Sequence, residues 1–150
     1  MPAAEPRVLV IEDNDALRVM LFTVLRLQPL AVDTATGADD ALEKTRHCDY
    51  ALILLDMSLP DGGSTSFLTR FREERPEGTS FILAVCDPNY DTAIDPTLVS
   101  AIVNKPLEID MLAEAVRECA LVVPPPEEPL RCPPAESDFR ASFNASSAYN

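Results

Sequence analysis

The feature that most constrains this chain is one apolar run, Ala51-Leu52-Ile53-Leu54-Leu55, closed by a carboxylate at Asp56. The run has strand length and no polar face. That suits a central parallel strand covered on both sides. Such a strand needs helices to cover it, and the flanking sequence supplies them. Residues 7–11 are a short β-branched run. Residues 15–27 carry Leu17, Met20, Leu21, Val24 and Leu25 at helical spacing, and Pro29 stops that helix. A weaker strand at 31–35 and a helix at 38–46 follow. After the turn Pro60-Asp61-Gly62-Gly63 comes a helix at 64–75 with Phe67, Leu68 and Phe71 inward. Strands are expected at 81–85 and 101–103. A last helix at 108–122 sets Ile109, Leu112, Val116 and Cys119 on one face. Between the last two strands, Pro88 and Pro96 leave room only for a short helix near 90–94. This alternation predicts an α/β fold with a doubly wound parallel sheet.

In open sheets of this kind the functional crevice lies beyond the carboxyl ends of the strands. Glu12 and Asp13 follow the first strand, Asp56 ends the third, Cys86 and Asp87 the fourth, and Asn104-Lys105-Pro106 the fifth. Taken alone, Asp13 or Asp15 serves equally well as a helix cap, and Asp56 as the entry to a turn. Together, Glu12, Asp13 and Asp56 repel one another unless a cation sits among them. A hard divalent ion, Mg²⁺, answers that need with oxygen ligands. Lys105 opposite the ion would clamp an anionic oxygen. A carboxylate between metal and lysine is placed to accept a phosphoryl group.

The carriers of a wider resemblance are Val8-Leu9-Val10-Ile11-Glu12-Asp13-Asn14, Leu54-Leu55-Asp56-Met57-Ser58-Leu59-Pro60-Asp61-Gly62-Gly63 and Val103-Asn104-Lys105-Pro106-Leu107. In that order and spacing, residues 7–122 resemble the receiver domain of two-component response regulators. The resemblance implies a flavodoxin-like five-stranded sheet of order 2-1-3-4-5, here with a shortened fourth helix. It implies Asp56 as phosphoryl acceptor and Lys105 as the clamp on a phosphoryl oxygen. It implies Glu12, Asp13, Asp56 and the backbone carbonyl of Ser58 as ligands of Mg²⁺. The implied donor is a histidine kinase or a phosphotransfer protein. The chain would then be no enzyme beyond promoting its own phosphorylation and dephosphorylation.

Some positions depart from the pattern. Cys86 stands where the family usually has the Ser or Thr of the switch, and a thiol is the weaker donor. Ile102 stands at the commonly aromatic switch position and reads as core. Asp87 replaces a small residue. Pointing inward, it would cost on the order of 3 kcal/mol beside a phosphoryl group; the expectation is that it faces water or caps the following turn. His47, the one histidine, reads as surface.

Charge narrows the partners. Lys plus Arg number 12 against 25 Asp plus Glu, a formal net charge of −13, which is repelled by nucleic acid and anionic membrane. No apolar run reaches a membrane span, and residues 1–6 read as a short lead-in without the layout of an export signal. A cytoplasmic location follows as an expectation. With it go four reduced thiols, Cys48, Cys86, Cys119 and Cys132, in place of a disulfide frame or zinc site. Residues 123–150 hold 6 of the 14 prolines and read as a disordered tail.

Two readings compete. In the first, the chain is a stand-alone phosphorylation-dependent switch whose output is binding to a downstream protein or relay of phosphate. In the second, it is a pseudo-receiver that binds partners without phosphoryl transfer. A phosphatase using Asp56 would need a second acid where Ser58 stands. A flavin site would need a phosphate loop where Glu12-Asp13-Asn14-Asp15 would repel phosphate.

Overall fold

A computed structural model describes residues 5–89, 94–106 and 108–138. Five parallel strands form one sheet in the order β2-β1-β3-β4-β5. They are β1 (Arg7–Ile11), β2 (Ala31–Ala35), β3 (Leu52–Asp56), β4 (Phe81–Cys86) and β5 (Ala101–Asn104). Four helices flank them: α1 (Asp15–Leu25), α2 (Ala38–His47), α3 (Gly63–Glu74) and α4 (Ile109–Leu121).

The period of two along each strand splits the core in two. Leu9, Ile11, Ile53 and Leu55 pack with Ala41 and Leu42 of α2 and with Phe67, Leu68 and Phe71 of α3. Val8, Val10, Leu52 and Leu54 pack on the other face with Leu21 and Leu25 of α1 and with Leu112 and Val116 of α4. Every residue of β3 is buried, as its unbroken apolar run requires. At the turn before α3, Gly62 sits in the left-handed region at φ 68°, where a side chain would be strained.

The structure corrects several sequence expectations. Met20 is 46% and Ile102 45% exposed, so neither is core. Ile102 pairs in register with Ala84, whose side chain faces the α2–α3 layer. Among the described residues no helix follows β4 to cover Ile102 on that face. The short helix expected near 90–94 falls largely on residues outside those described, as does the end of the tail.

Two of the four cysteines are not free thiols. A disulfide joins Cys48, at the end of α2, to Cys132 in the tail, with Cα atoms 4.7 Å apart. Cys86 and Cys119 are free, as expected. Nor are residues 130–138 a loose tail, because they fold back against the end of α2 and the outer edge of β2. Ala135 is 1% exposed there. Proline content signals a stiff path, but it does not exclude docking once polar anchors meet that path.

The main anchor is Asp33, a carboxylate on β2 that is only 3% exposed. Its Oδ2 accepts from Arg7 Nε at 2.8 Å, Arg7 Nη2 at 2.6 Å and the Tyr50 hydroxyl at 2.6 Å. Its Oδ1 accepts from the backbone N–H of Glu136 at 2.8 Å. Burial, then the bond to Asp33, pushes the Tyr50 hydroxyl up and keeps it a donor. Asp33→Ala is expected to cost about 3 kcal/mol, because it strands the Arg7 guanidinium in a part-buried site. Urea denaturation of the oxidised protein checks this.

Candidate phosphoryl-acceptor site

The site is assembled by strand ends. β1 delivers Glu12, whose N–H bonds Ala35 O at 3.0 Å and so fixes the acidic turn against β2. Arg18 Nη1 donates to Glu12 O at 3.1 Å and Arg18 Nη2 to Asp15 Oδ1 at 2.6 Å, holding the same turn from α1. The α1 cap is neither Asp13 nor Asp15. It is Asn14, whose Oδ1 accepts from Leu17 N–H at 2.9 Å. That leaves Asp13 exposed and free for other work.

β3 delivers Asp56, which is 7% exposed. One carboxylate oxygen from each of Glu12, Asp13 and Asp56 lies within 4.8 Å of the others. Lys105 Nζ stands 3.6 Å from Asp56 Oδ1. Lys105 is positioned by its own N–H, which bonds Cys86 O at 2.8 Å, and it precedes a cis peptide to Pro106. Thus the acids expected from β1 and β3 and the lysine expected after β5 do come together.

The electrostatics of the site turn on Glu12 and Asp56. Glu12 is 2% exposed, and no protein donor reaches its buried Oε2. Burial, then the hydrogen bond and charge of Asp56, push its carboxyl up to about 8, only partly opposed by Lys105. Burial also opposes ionisation of Asp56. Hydrogen bonds from Glu12 and from the Ser58 N–H and hydroxyl, with the Lys105 charge, outweigh it and hold that carboxyl below its ordinary value. Glu12 therefore keeps a proton that it donates to ionised Asp56. A divalent cation would replace that proton, so this set of hard oxygen donors fits Mg²⁺.

Two contributions are not legible from the motifs. The resemblance has Ser58 act through its carbonyl, yet its N–H and Oγ both donate to Asp56 Oδ1, at 3.0 and 2.7 Å. Buried Ser64 donates from Oγ to Asp56 O at 2.6 Å and fixes the strand end. A hydroxyl in the first turn of α3, facing the strand it must anchor, is the only sequence signal for it. Cys86 is half-buried at the end of β4, and burial, then the Asp56 charge, pushes its thiol up, so it remains a weak donor. Asp87 accepts from Asn89 N–H at 2.9 Å, capping its own turn as expected. His47 is a surface residue bonded to Glu43.

Beside the acids lies a cavity of about 380 Å³, walled by Leu17, Leu21, Leu54 and Leu112 and rimmed by Glu12, Asp56 and Lys105. Its apolar floor removes water from one side of the acids, which strengthens charge interactions at the rim.

The chain matches the response regulator receiver domain family over residues 8–117, and it belongs to that family. It is 32% identical over 112 residues to the transcriptional regulatory protein DltR of Streptococcus agalactiae, covering 74% of this chain and 50% of that one. It is 27% identical over 117 residues to the transcriptional regulatory protein BasR of Escherichia coli, with the same coverage. The chain thus spans about half the length of these curated relatives. Among solved structures it is similar to the response regulator protein TrrA from Thermotoga maritima in complex with Mg(2+)-BeF. That match has TM-score 0.65 and 23% identity, covering 76% of this chain and 98% of that one. It is also similar to a chain in the co-crystal structure of the Saccharomyces cerevisiae phosphotransfer protein Ypd1 with the receiver domain of Ssk1. There the TM-score is 0.66 and the identity 17%, covering 79% and 90%. These likenesses show the five-stranded receiver fold. Among the described residues no helix is long and apolar enough to cross a membrane.

Proposed function

We propose that this receiver domain is a phosphorylation switch in which Asp56 accepts a phosphoryl group from a histidine kinase or a phosphotransfer protein. The observation that carries the proposal is the three-carboxylate cluster with Lys105 Nζ 3.6 Å from the acceptor. Glu12, Asp13, Asp56 and the Ser58 carbonyl would hold Mg²⁺, which would neutralise charge on the transferred group. Asp56 attacks phosphorus as its P–N bond to the donor histidine breaks, and an acyl phosphate forms. Lys105 meets the negative oxygen that results. The Ser58 donors hold Asp56 Oδ1 and so fix the carboxylate plane during attack. Cys86 stands where a phosphoryl oxygen would seek a donor, and a protonated thiol can supply a weak one.

Output runs through contacts with a downstream protein or through passage of the phosphoryl group along a relay. The relatives are transcriptional regulators, so a DNA-linked output belongs to the same proposal at the level of a whole protein. The charge of −13 makes direct contact between this domain and DNA unfavourable.

The test is intact mass after incubation with Mg²⁺ and a small phosphodonor such as acetyl phosphate. One phosphoryl group is expected with Mg²⁺ and less than about a tenth as much with chelator present. No uptake at millimolar Mg²⁺ would favour the second reading, an interaction module without phosphoryl transfer. Cys86 and Ile102 at the two switch positions are the observations on that side.

A further inference from the structure

Residues 130–138 do more than lie against the fold. β2 is an edge strand, with β1 on one side and no strand on the other among the described residues. An open edge presents unpaired N–H groups, and proteins cover such edges. Here the cover is made of side chains. Val32 N–H donates to Ser137 Oγ at 2.9 Å, and Thr34 N–H to Glu136 Oε1 at 3.0 Å. Thr34 Oγ1 donates to Glu136 Oε2 at 3.0 Å, and Lys44 Nζ stands 3.2 Å from Glu136 Oε1. Upstream, Leu130 N–H donates to Asp49 Oδ2 at 2.7 Å, and Arg7 donates to the Pro133 carbonyl.

All these anchors are polar, and most lie at part-buried or exposed positions where water competes, so each contributes little net. Only one link is covalent, the Cys48–Cys132 disulfide, which closes a separation of 84 residues. Its two ends differ in access: Cys48 is 2% exposed, whereas Cys132 is half-buried on the strap.

We propose that Cys48–Cys132 is a site of reversible thiol–disulfide exchange with dithiol reductants, and that its reduction unlatches residues 130–138 from the edge of β2. A reductant thiolate attacks the accessible Cys132 sulfur. The S–S bond breaks, and its electron pair leaves on Cys48, which takes a proton. The second thiol of the reductant then displaces Cys132, so that the reductant leaves as a disulfide and both cysteines leave as thiols. Without the covalent link the strap is held only by these polar anchors, the Glu136–Asp33 bond and the small buried side chain of Ala135, and the Val32 and Thr34 donors open to solvent. A reducing compartment holds the latch open and an oxidising one closes it.

Two measurements test this on the full chain. Alkylation of the air-equilibrated protein in denaturant, without reductant, should label two cysteines, Cys86 and Cys119. Labelling of all four overturns the proposal. Amide hydrogen exchange is then followed with and without dithiothreitol. Val32 and Thr34 should exchange at least about tenfold faster on reduction, while β1 and β3 amides stay within about twofold. A smaller change at the edge, or equal acceleration across the sheet, overturns it. Cys132→Ser should exchange like the reduced protein and be indifferent to dithiothreitol. Should that variant fail to fold, the reduced wild type carries the same comparison.

Discussion

Asp56→Asn is expected to take up less than about 1% of the phosphoryl group that the wild-type protein takes up, while remaining folded. An amide oxygen is a poor nucleophile toward phosphorus, and no other group replaces the lost carboxylate. Glu12 is protonated and buried, and Asp13 stands in solvent, so neither holds the position that Lys105 addresses. The fold should tolerate the change. The amide oxygen introduced by the substitution still accepts from the Ser58 N–H and Oγ. The Ser64 bond goes to the backbone carbonyl of residue 56, which is untouched. Loss of the charge-assisted part of these bonds costs about 1–2 kcal/mol. Intact mass and urea denaturation on the same preparation check both halves. Uptake that persists in Asp56→Asn would move the acceptor elsewhere, and a collapse of stability would make the loss of uptake uninformative.

The reason this site is legible in the sequence is geometric. A short parallel strand delivers its last residue to a fixed edge, so Glu12, Asp13, Asp56 and Lys105 can be placed together once the strands are bounded. The order 2-1-3-4-5 then brings β1 and β3 side by side. What is not legible depends on chain paths without periodicity. Cys48 and Cys132 are 84 residues apart, and nothing local predicts that a proline-rich segment returns to the end of α2. Asp33 resembles an ordinary polar residue of a half-exposed strand, and it becomes buried only because Tyr50, Arg7 and the strap converge on it. Ile102 fails for the converse reason. Its strand is placed rightly, but the layer expected to cover it is not present among the described residues.

Mg²⁺ affinity should rise about 50-fold between about pH 6 and pH 8, with a proton released on binding. The cause is Glu12, whose folded value is raised from 4.5 to about 8, first by burial and then by Asp56. At about pH 7 it holds about 0.9 proton, which a cation must displace to use that carboxylate. Calorimetry in two buffers of different ionisation enthalpy measures the release. The same shift fixes the sign of metal-free stability. Between pH 4.5 and about 8 the folded state keeps a proton that the unfolded state has lost, so stability falls as pH rises through that window. The full span is worth about 3–5 kcal/mol, and it should be absent from Glu12→Gln, where no ionisable proton remains. That variant should therefore be the more stable protein at the upper end of the window without metal, and the weaker Mg²⁺ binder. A flat affinity across this pH range, or equal stability slopes in the two proteins, would show that Glu12 enters the site already ionised. A cation would then meet three ionised carboxylates, with Lys105 beside them, and would bind without displacing a proton.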